Sequence, residues 1–286
     1  MKIGLAIAPE QASPSAFVVF RDRLETSMAK ATALGYDGVE LALSDAAQAE
    51  PDRIRRALAA TSLELPAIST GRVFAERKVW FTHPEDSIRR EAVETICGLV
   101  DVAAAFGSLV NIGRARGYVH EADSQATATE RFLACMAQCA QHAARRGILL
   151  VLEPVNRYET NFINSVPQAL AMIDRLGEPN VKVMPDVFHM NIEDVSIEGS
   201  FRQAGARVGY VHLADSNRLA PGQGHLPFTD ILAVLAEIGY DGWVTAEILP
   251  APDPDTAASA AIAFLRPILP ASHPRQPTPK GGTSDS

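Results

Sequence analysis

Eight short apolar, β-rich runs alternate with longer stretches of helical spacing, and that alternation constrains the fold of this chain more than any other feature. The runs are 2–8, 38–43, 63–69, 108–113, 148–154, 181–187, 208–214 and 242–248. Helical spacing fills 16–34, 51–60, 85–106, 126–146, 166–175, 229–238 and 255–268, with 190–207 the least regular segment. The stretch from Thr82 to Gly107 shows the pattern best: Pro84 and two acidic residues open it, apolar positions recur at helical spacing, and Gly107 closes it. Such alternation predicts parallel strands joined by crossover helices, and eight units over this length predict a (β/α)8 TIM barrel as a single domain over 1–270. A doubly wound sheet is the rival, but neither GxGxxG nor GKT/GKS follows the first strand. The Pro/Gly/Ser-rich end, 271–286, cannot bury a core and is expected to be a disordered tail.

Composition excludes some partners. The 286 residues are 47% hydrophobic and 21% charged, with a net charge of −8. That balance speaks against a nucleic-acid partner but leaves a small anionic substrate open, since a few local arginines can serve one. Cys97, Cys135 and Cys139 lack CxxC spacing, which suggests neither a disulfide framework nor a zinc ribbon. The start of the chain turns polar too early for a signal peptide, and no apolar run reaches the roughly 20 residues of a membrane span. A cytoplasmic protein without membrane partners is expected.

In a barrel of this kind chemistry gathers at the C-terminal ends of the strands. The fifth run ends in Glu153, the sixth in Asp186 and the eighth in Glu247, and the seventh carries His212. Alternation turns Leu149 and Val151 inward with Glu153, and Trp243 and Thr245 inward with Glu247. The same parity turns Lys182 inward below Asp186, so its ammonium is expected to reach solvent at the bottom rim. Singly, each polar residue could cap a loop, pair with a counter-charge or be a satisfied core histidine. Together, three carboxylates and an imidazole would repel one another unless something positive sat among them. A divalent cation resolves this, and the donor set suits Mn2+, Mg2+ or Co2+ better than structural zinc.

The stretches Glu153–Ser165 (EPVNRYETNFINS), Pro185–Asp194 (PDVFHMNIED), His212–Phe228 (HLADSNRLAPGQGHLPF) and Ala246–Leu249 (AEIL), with Thr82–Val93 (THPEDSIRREAV) before them, carry a family resemblance. The chain resembles the xylose-isomerase-like sugar isomerase/epimerase superfamily. Within it, the chain resembles the ketose 3-epimerases, the D-tagatose and D-psicose enzymes, and most nearly the 5-keto-L-gluconate epimerase branch. The first two strands match only loosely. The resemblance implies that Glu153, Asp186, His212 and Glu247 ligate a divalent metal, Mn2+ foremost, and that Glu153 and Glu247 double as the acid/base pair. It implies that Glu159, His189 and Arg218 hold the substrate, with Glu159 tuning Glu153 by sharing its proton. It also implies a homo-oligomer, a dimer or tetramer. Arg157 and His189 have loop-structuring alternatives, Asn217 is read as shaping its turn, and His225 is either a surface or a supporting residue.

The implied reaction inverts C3 of a ketose or keto sugar acid through a cis-enediolate, with one base on each face of the carbon. Arg72, Arg77, Lys78, Arg114 and Arg116 fall in loops near the expected mouth and hint at an acidic substrate such as 5-keto-gluconate, though most read as solvated charges. A neutral ketohexose stays open, and no Gly-rich phosphate loop favours a sugar phosphate. Trp80 or Phe74 could pack over the sugar or simply be buried. An aldose–ketose isomerase is the main alternative. A DNA-repair endonuclease would want more metal-ligating histidines at the strand ends than His189 and His212, and a non-catalytic sugar-binding barrel would lack one of the two bases.

Overall fold

The computed structural model describes residues 1–13 and 17–270. The tail 271–286 lies outside the described residues. The strands are β1 (Lys2–Ile7), β2 (Gly38–Ala42), β3 (Glu64–Ser69), β4 (Leu109–Ile112), β5 (Leu150–Leu152), β6 (Val181–Val183), β7 (Val211–Leu213) and β8 (Trp243–Ala246). The helices are α1 (Leu24–Leu34), α2 (Pro51–Ala59), α3 (Asp86–Ala104), α4 (Gln125–Arg145), α5 (Val166–Leu176), α6 (Val187–Glu193), α7 (Ile197–Ala204), α8 (Phe228–Glu237) and α9 (Pro254–Ile268). All strand pairs are parallel, in the order β6-β5-β4-β3-β2-β1-β8-β7. Isolated bridges Val183↔Val208 and Asp186↔His212 join the two ends of that order. Gly209 N–H donates to the Val183 carbonyl at 2.9 Å and His212 N–H to that of Pro185 at 3.0 Å, which closes the sheet into the expected TIM barrel.

Local sequence explains most helix boundaries. Ser124 caps α4, Ser165 caps α5 and Asp253 caps α9, each through its side-chain oxygen, and α5 stops at Gly177, whose φ of 71° suits a residue without a Cβ. Two boundaries differ from expectation. The first helix begins at Leu24, not at residue 16, because the preceding segment is used by β1. Val19 N–H donates to the Ala6 carbonyl and Ala8 N–H to that of Phe20, each at 3.0 Å, and Val18, Val19 and Phe20 are buried there. The irregular segment 190–207 divides into α6, α7 and a 3-10 turn over Gly205–Arg207. The break falls at Asp194, which accepts from Val166 N–H and the Ser200 hydroxyl, and Ser196 caps the new helix.

Two apolar layers follow from strand alternation. The outward faces, including Leu5, Leu41, Ile68, Ile112, Leu152, Val183 and Leu213, join the helices in the main core. Each such fully buried aliphatic side chain contributes about 1.5–3 kcal/mol. Inside the barrel, Ala67, Val151, Met184 and Tyr210 form a separate cluster above Leu109, Leu149 and Trp243. Space there is tight: a Cβ on Gly4 would lie 2.4 Å from Thr245 Oγ1, and one on Gly38 would lie 2.7 Å from the Trp243 ring. Lys182 Nζ donates to the Ala206 carbonyl at 2.9 Å, at an exposed position. The barrel is therefore a filled plug with apolar lower layers, and polar side chains collect at one end.

Candidate functional site

Glu153 and Glu247 immediately follow β5 and β8, Asp186 caps α6 just past β6, and His212 sits in β7. One ligand atom from each of the four lies within 4.8 Å of all the others. His212 Nδ1 is 3.4 Å from Glu247 Oε2, 3.6 Å from Glu153 Oε1 and 4.0 Å from Asp186 Oδ2. Asp186 and His212 are wholly buried. Strand alternation and barrel closure together bring these four expected residues to a common centre.

A fifth residue, overlooked in the sequence, fixes the imidazole. Glu40 of β2 is buried, and its Oε2 accepts from His212 Nε2 at 2.8 Å across 172 residues of chain. Its visible signal was a glutamate inside the apolar run GVELAL. With Nε2–H committed to Glu40, Nδ1 turns toward the three carboxylates, and it is buried without a hydrogen-bond partner. A lone pair aimed at three anions is stable only with a proton or a cation between them. The donor set, three carboxylate oxygens and one imidazole nitrogen backed by a carboxylate, fits a divalent cation.

The charged groups at this centre act on one another. Burial lifts the Glu153 carboxyl to about 7, helped by Glu247 and Asp186 and opposed by His212. Burial also works against ionisation of Asp186, but Arg218, His189 and His212 outweigh it and bring the group to about 2. Burial opposes a charged Glu247 too, yet His212 and Arg218 hold its carboxyl below its ordinary value. His212 is pushed well above its usual value despite burial, because Glu40 and Glu247 face it.

Arg218 bridges Asp186 and Glu247. Its Nη1 donates to Asp186 Oδ2 at 2.7 Å and its Nη2 to Glu247 Oε2, while its guanidinium lies between the rings of Phe17 and Phe188 at 4.9 and 4.7 Å. A positive φ of 63° aims it inward. His189 is buried at the cleft wall, where Asn156 Nδ2 donates to its Nδ1 at 2.8 Å. That contact leaves the ring proton on Nε2, 3.8 Å from Asp186 Oδ2. Burial lowers the His189 pKa to about 3, so it stays neutral. Glu159 lines the same cleft, 3.4 Å from Asn156 Nδ2 and 3.9 Å from Arg114 Nε. No hydrogen bond joins Glu159 to Glu153 among the described residues. The intervening loop instead spends Asn156 on His189 and Arg157 on Glu193, whose oxygens accept from the Arg157 backbone N–H, Nε and Nη2.

The cleft above this centre opens to solvent and is lined by Glu153, Glu159, His189, Arg218 and Glu247 among others. Its cations differ from their sequence reading. Arg116 is fully buried and donates to the carbonyls of Gly113, Glu153, Phe162 and Ile163 at 2.9–3.0 Å, so it ties the β4 and β5 ends together instead of facing a ligand. Arg77 pairs with Asp45 and Glu91, and Lys78 is exposed. Arg72 and Arg114 do line the cleft. Trp80 and Phe74 pack against each other at a tilt, centroids 5.3 Å apart, and neither lines the cleft, whereas Phe17 does. His225 accepts or shares a proton with the Ser216 hydroxyl at 2.9 Å, and Asn217 holds its turn through Leu219 N–H and the Gln223 carbonyl.

The chain and its fold have known counterparts. The sequence profile of the family described as "Xylose isomerase-like TIM barrel" matches residues 28–268. An L-ribulose 3-epimerase of Methylomonas sp. is 34% identical over 223 residues, 77% of each chain. A D-psicose 3-epimerase of Ruminiclostridium cellulolyticum is 40% identical over 118 residues, which span 41% of this chain and 40% of that one. The crystal structure of a D-allulose 3-epimerase from Methylomonas sp. superposes with a TM-score of 0.79 at 26% identity, covering 94% of this chain and 98% of that one.

Proposed function

Because the chain belongs to the xylose isomerase-like TIM-barrel family, we propose that it is a divalent-metal-dependent ketose 3-epimerase acting on a ketose or keto sugar acid. The observation that carries this reading is the convergence of Glu153, Asp186, His212 and Glu247 on one centre, with the two glutamates contributed by β5 and β8 from separate arcs of the barrel mouth. Relatives and structural neighbours bearing 3-epimerase names support the same reaction class.

Glu153, Asp186, Glu247 and His212 Nδ1 would hold the cation, Mn2+ foremost, with Mg2+ or Co2+ as substitutes. When bound, the cation supplies electrophilic polarisation of the ketone and neighbouring hydroxyl oxygens. The protein residues do the rest. One glutamate removes the C3 proton from one face, giving the cis-enediolate, and the other returns a proton from the opposite face. Each positioned acid or base contributes roughly 10²–10⁴ in rate. Inversion requires both, so the roles exchange between the two reaction directions. His189, neutral with Nε2–H toward the cleft, donates to a sugar oxygen. Arg218 balances the charge of Asp186 and Glu247 while lining the substrate space, and Glu159 accepts from hydroxyls farther out.

We infer a cytoplasmic setting and homo-oligomeric assembly as a dimer or tetramer. Free thiols at Cys97, Cys135 and Cys139 suit a reducing compartment. Among the described residues no helix is long and apolar enough to cross a membrane. Exposed Tyr158 and Val195 offer apolar surface for a second copy, and light scattering reads the assembly directly.

The deciding experiment is proton exchange in heavy water with Mn2+ over a panel of ketohexoses and keto sugar acids. Deuterium should enter at C3, with the C3 epimer as product. Incorporation at C1 with release of an aldose would replace the epimerase by an aldose–ketose isomerase.

A further inference from the structure

Three arginines line the cleft, and their guanidinium groups are in different states. Arg72 is saturated: Nε and Nη2 donate to the two Glu76 oxygens at 2.8 Å, and Nη1 to the Ala42 carbonyl and Gln48 Oε1 at 3.0 and 3.1 Å. Arg218 commits both terminal nitrogens to Asp186 and Glu247, and its buried Nε–H alone is without a partner among the described residues. Arg114 is in neither state. Among the described residues its nearest anion, Glu159 Oε2, is 3.9 Å from Nε, beyond hydrogen-bond distance, and its guanidinium carbon lies 5.8 Å from the centre of the Phe74 ring. Its side chain is 26% exposed, reachable from solvent without floating free in it. Burial raises the Glu159 carboxyl above its ordinary value, against the lowering effect of Arg114 and Arg218.

Position gives the open fork a purpose. Arg114 follows Gly113, and a Cβ on Gly113 would stand 2.6 Å from Glu153 Oε2, so the β4 backbone runs directly beside the candidate acid/base. A molecule held with its reacting carbon between Glu153 and Glu247 shares one cleft with Arg114. A planar guanidinium with unspent donors matches a carboxylate through two parallel bonds, a match that a hydroxyl does not offer. Resting on the epimerase reading above, we propose that Arg114 binds a carboxylate on the sugar at the end remote from the ketone, and that the site selects keto sugar acids over neutral ketoses.

The test is calorimetric binding of D-gluconate and D-glucitol, a pair that differs by one carboxylate, to the Mn2+-loaded protein and to its Arg114→Gln variant. The wild type should bind gluconate roughly ten- to a hundredfold more tightly than glucitol, the range of a charge-assisted contact. In Arg114→Gln the preference should fall to within about threefold, with the melting temperature showing that the variant is folded. Equal binding of the two ligands by the wild type overturns the proposal. So does a preference that survives in Arg114→Gln, which would assign the carboxylate to direct chelation. Heavy-water exchange on a 2-ketohexose and its 6-carboxylate counterpart separates the two levels. Exchange at C3 without acid preference sinks the Arg114 assignment and leaves the epimerase standing. Arg114-dependent acid binding without C3 exchange does the reverse.

Discussion

Replacing Glu40 by Gln tests the candidate metal centre from a residue outside its four ligands. Gln is nearly isosteric, and its carbonyl oxygen can still accept from His212 Nε2, now 2.8 Å from Glu40 Oε2. The substitution therefore keeps the ring in place and removes only the negative charge behind it, which lowers the basicity of Nδ1. Loss of such a supporting carboxylate typically costs about 10–100-fold in metal affinity. Tenfold is about 1.4 kcal/mol, so the change is about 1.4–2.8 kcal/mol. With Mn2+ in excess, metal-induced stabilisation falls by the same amount. At about 2–4 °C per kcal/mol, the Mn2+-dependent rise in Tm should shrink by roughly 3–11 °C. Melting curves of wild type and Glu40→Gln, with EDTA and with Mn2+, read this directly, and calorimetric titration supplies the Kd. In EDTA the two should melt within a few degrees, since one unpartnered buried oxygen, Glu40 Oε1, is exchanged for an amide. An unchanged Mn2+ shift in Glu40→Gln, or no Mn2+ shift in the wild type, would refute the coupling of Glu40 through His212 to a cation.

Four other outcomes are expected. Glu247→Gln should lower the C3 exchange rate by roughly 10²–10⁴ while preserving the circular dichroism melt, and retention of most activity would discard the two-base scheme. Gly113→Ala should displace the Glu153 carboxylate, because the new Cβ falls 2.6 Å from Oε2; Mn2+ titration should show at least about tenfold weaker binding with only a small change in the urea midpoint. Arg116→Ala removes four buried hydrogen bonds to main-chain carbonyls and should cost about 3–5 kcal/mol in urea unfolding, so a loss below about 1 kcal/mol would remove its role as a strut. Burial raises Asp194 to about 6 in the folded protein. The folded state then holds this proton more tightly than the unfolded chain, so the stability it adds is complete below the unfolded pKa near 4 and is lost as pH rises through about 6. Asp194→Asn should flatten that part of the pH–stability curve, and an unaltered slope would show that Asp194 is not its source.

The period-two pattern of the apolar runs determined the barrel and, through parity, which strand residues point inward. Glu153, Asp186, His212 and Glu247 were legible because they end or interrupt such runs, and alternation is a local property of extended backbone. Glu40 obeys the same parity, yet nothing local pairs it with a histidine 172 residues away; only closure of the sheet sets β2 across from β7. Arg114 and Arg116 are likewise indistinguishable in the string GRARG. A single 3-10 turn sends one toward four carbonyls and leaves the other facing the cleft. Residue 16 looked like a helix start because its neighbours have helical spacing, but their backbone bonds go to β1. The sequence by itself thus determined the architecture and the inward polar set, since both follow from repeats a few residues long. Tertiary structure alone decided which buried charges meet, because those partners are chosen by barrel curvature and loop turns that no short stretch encodes.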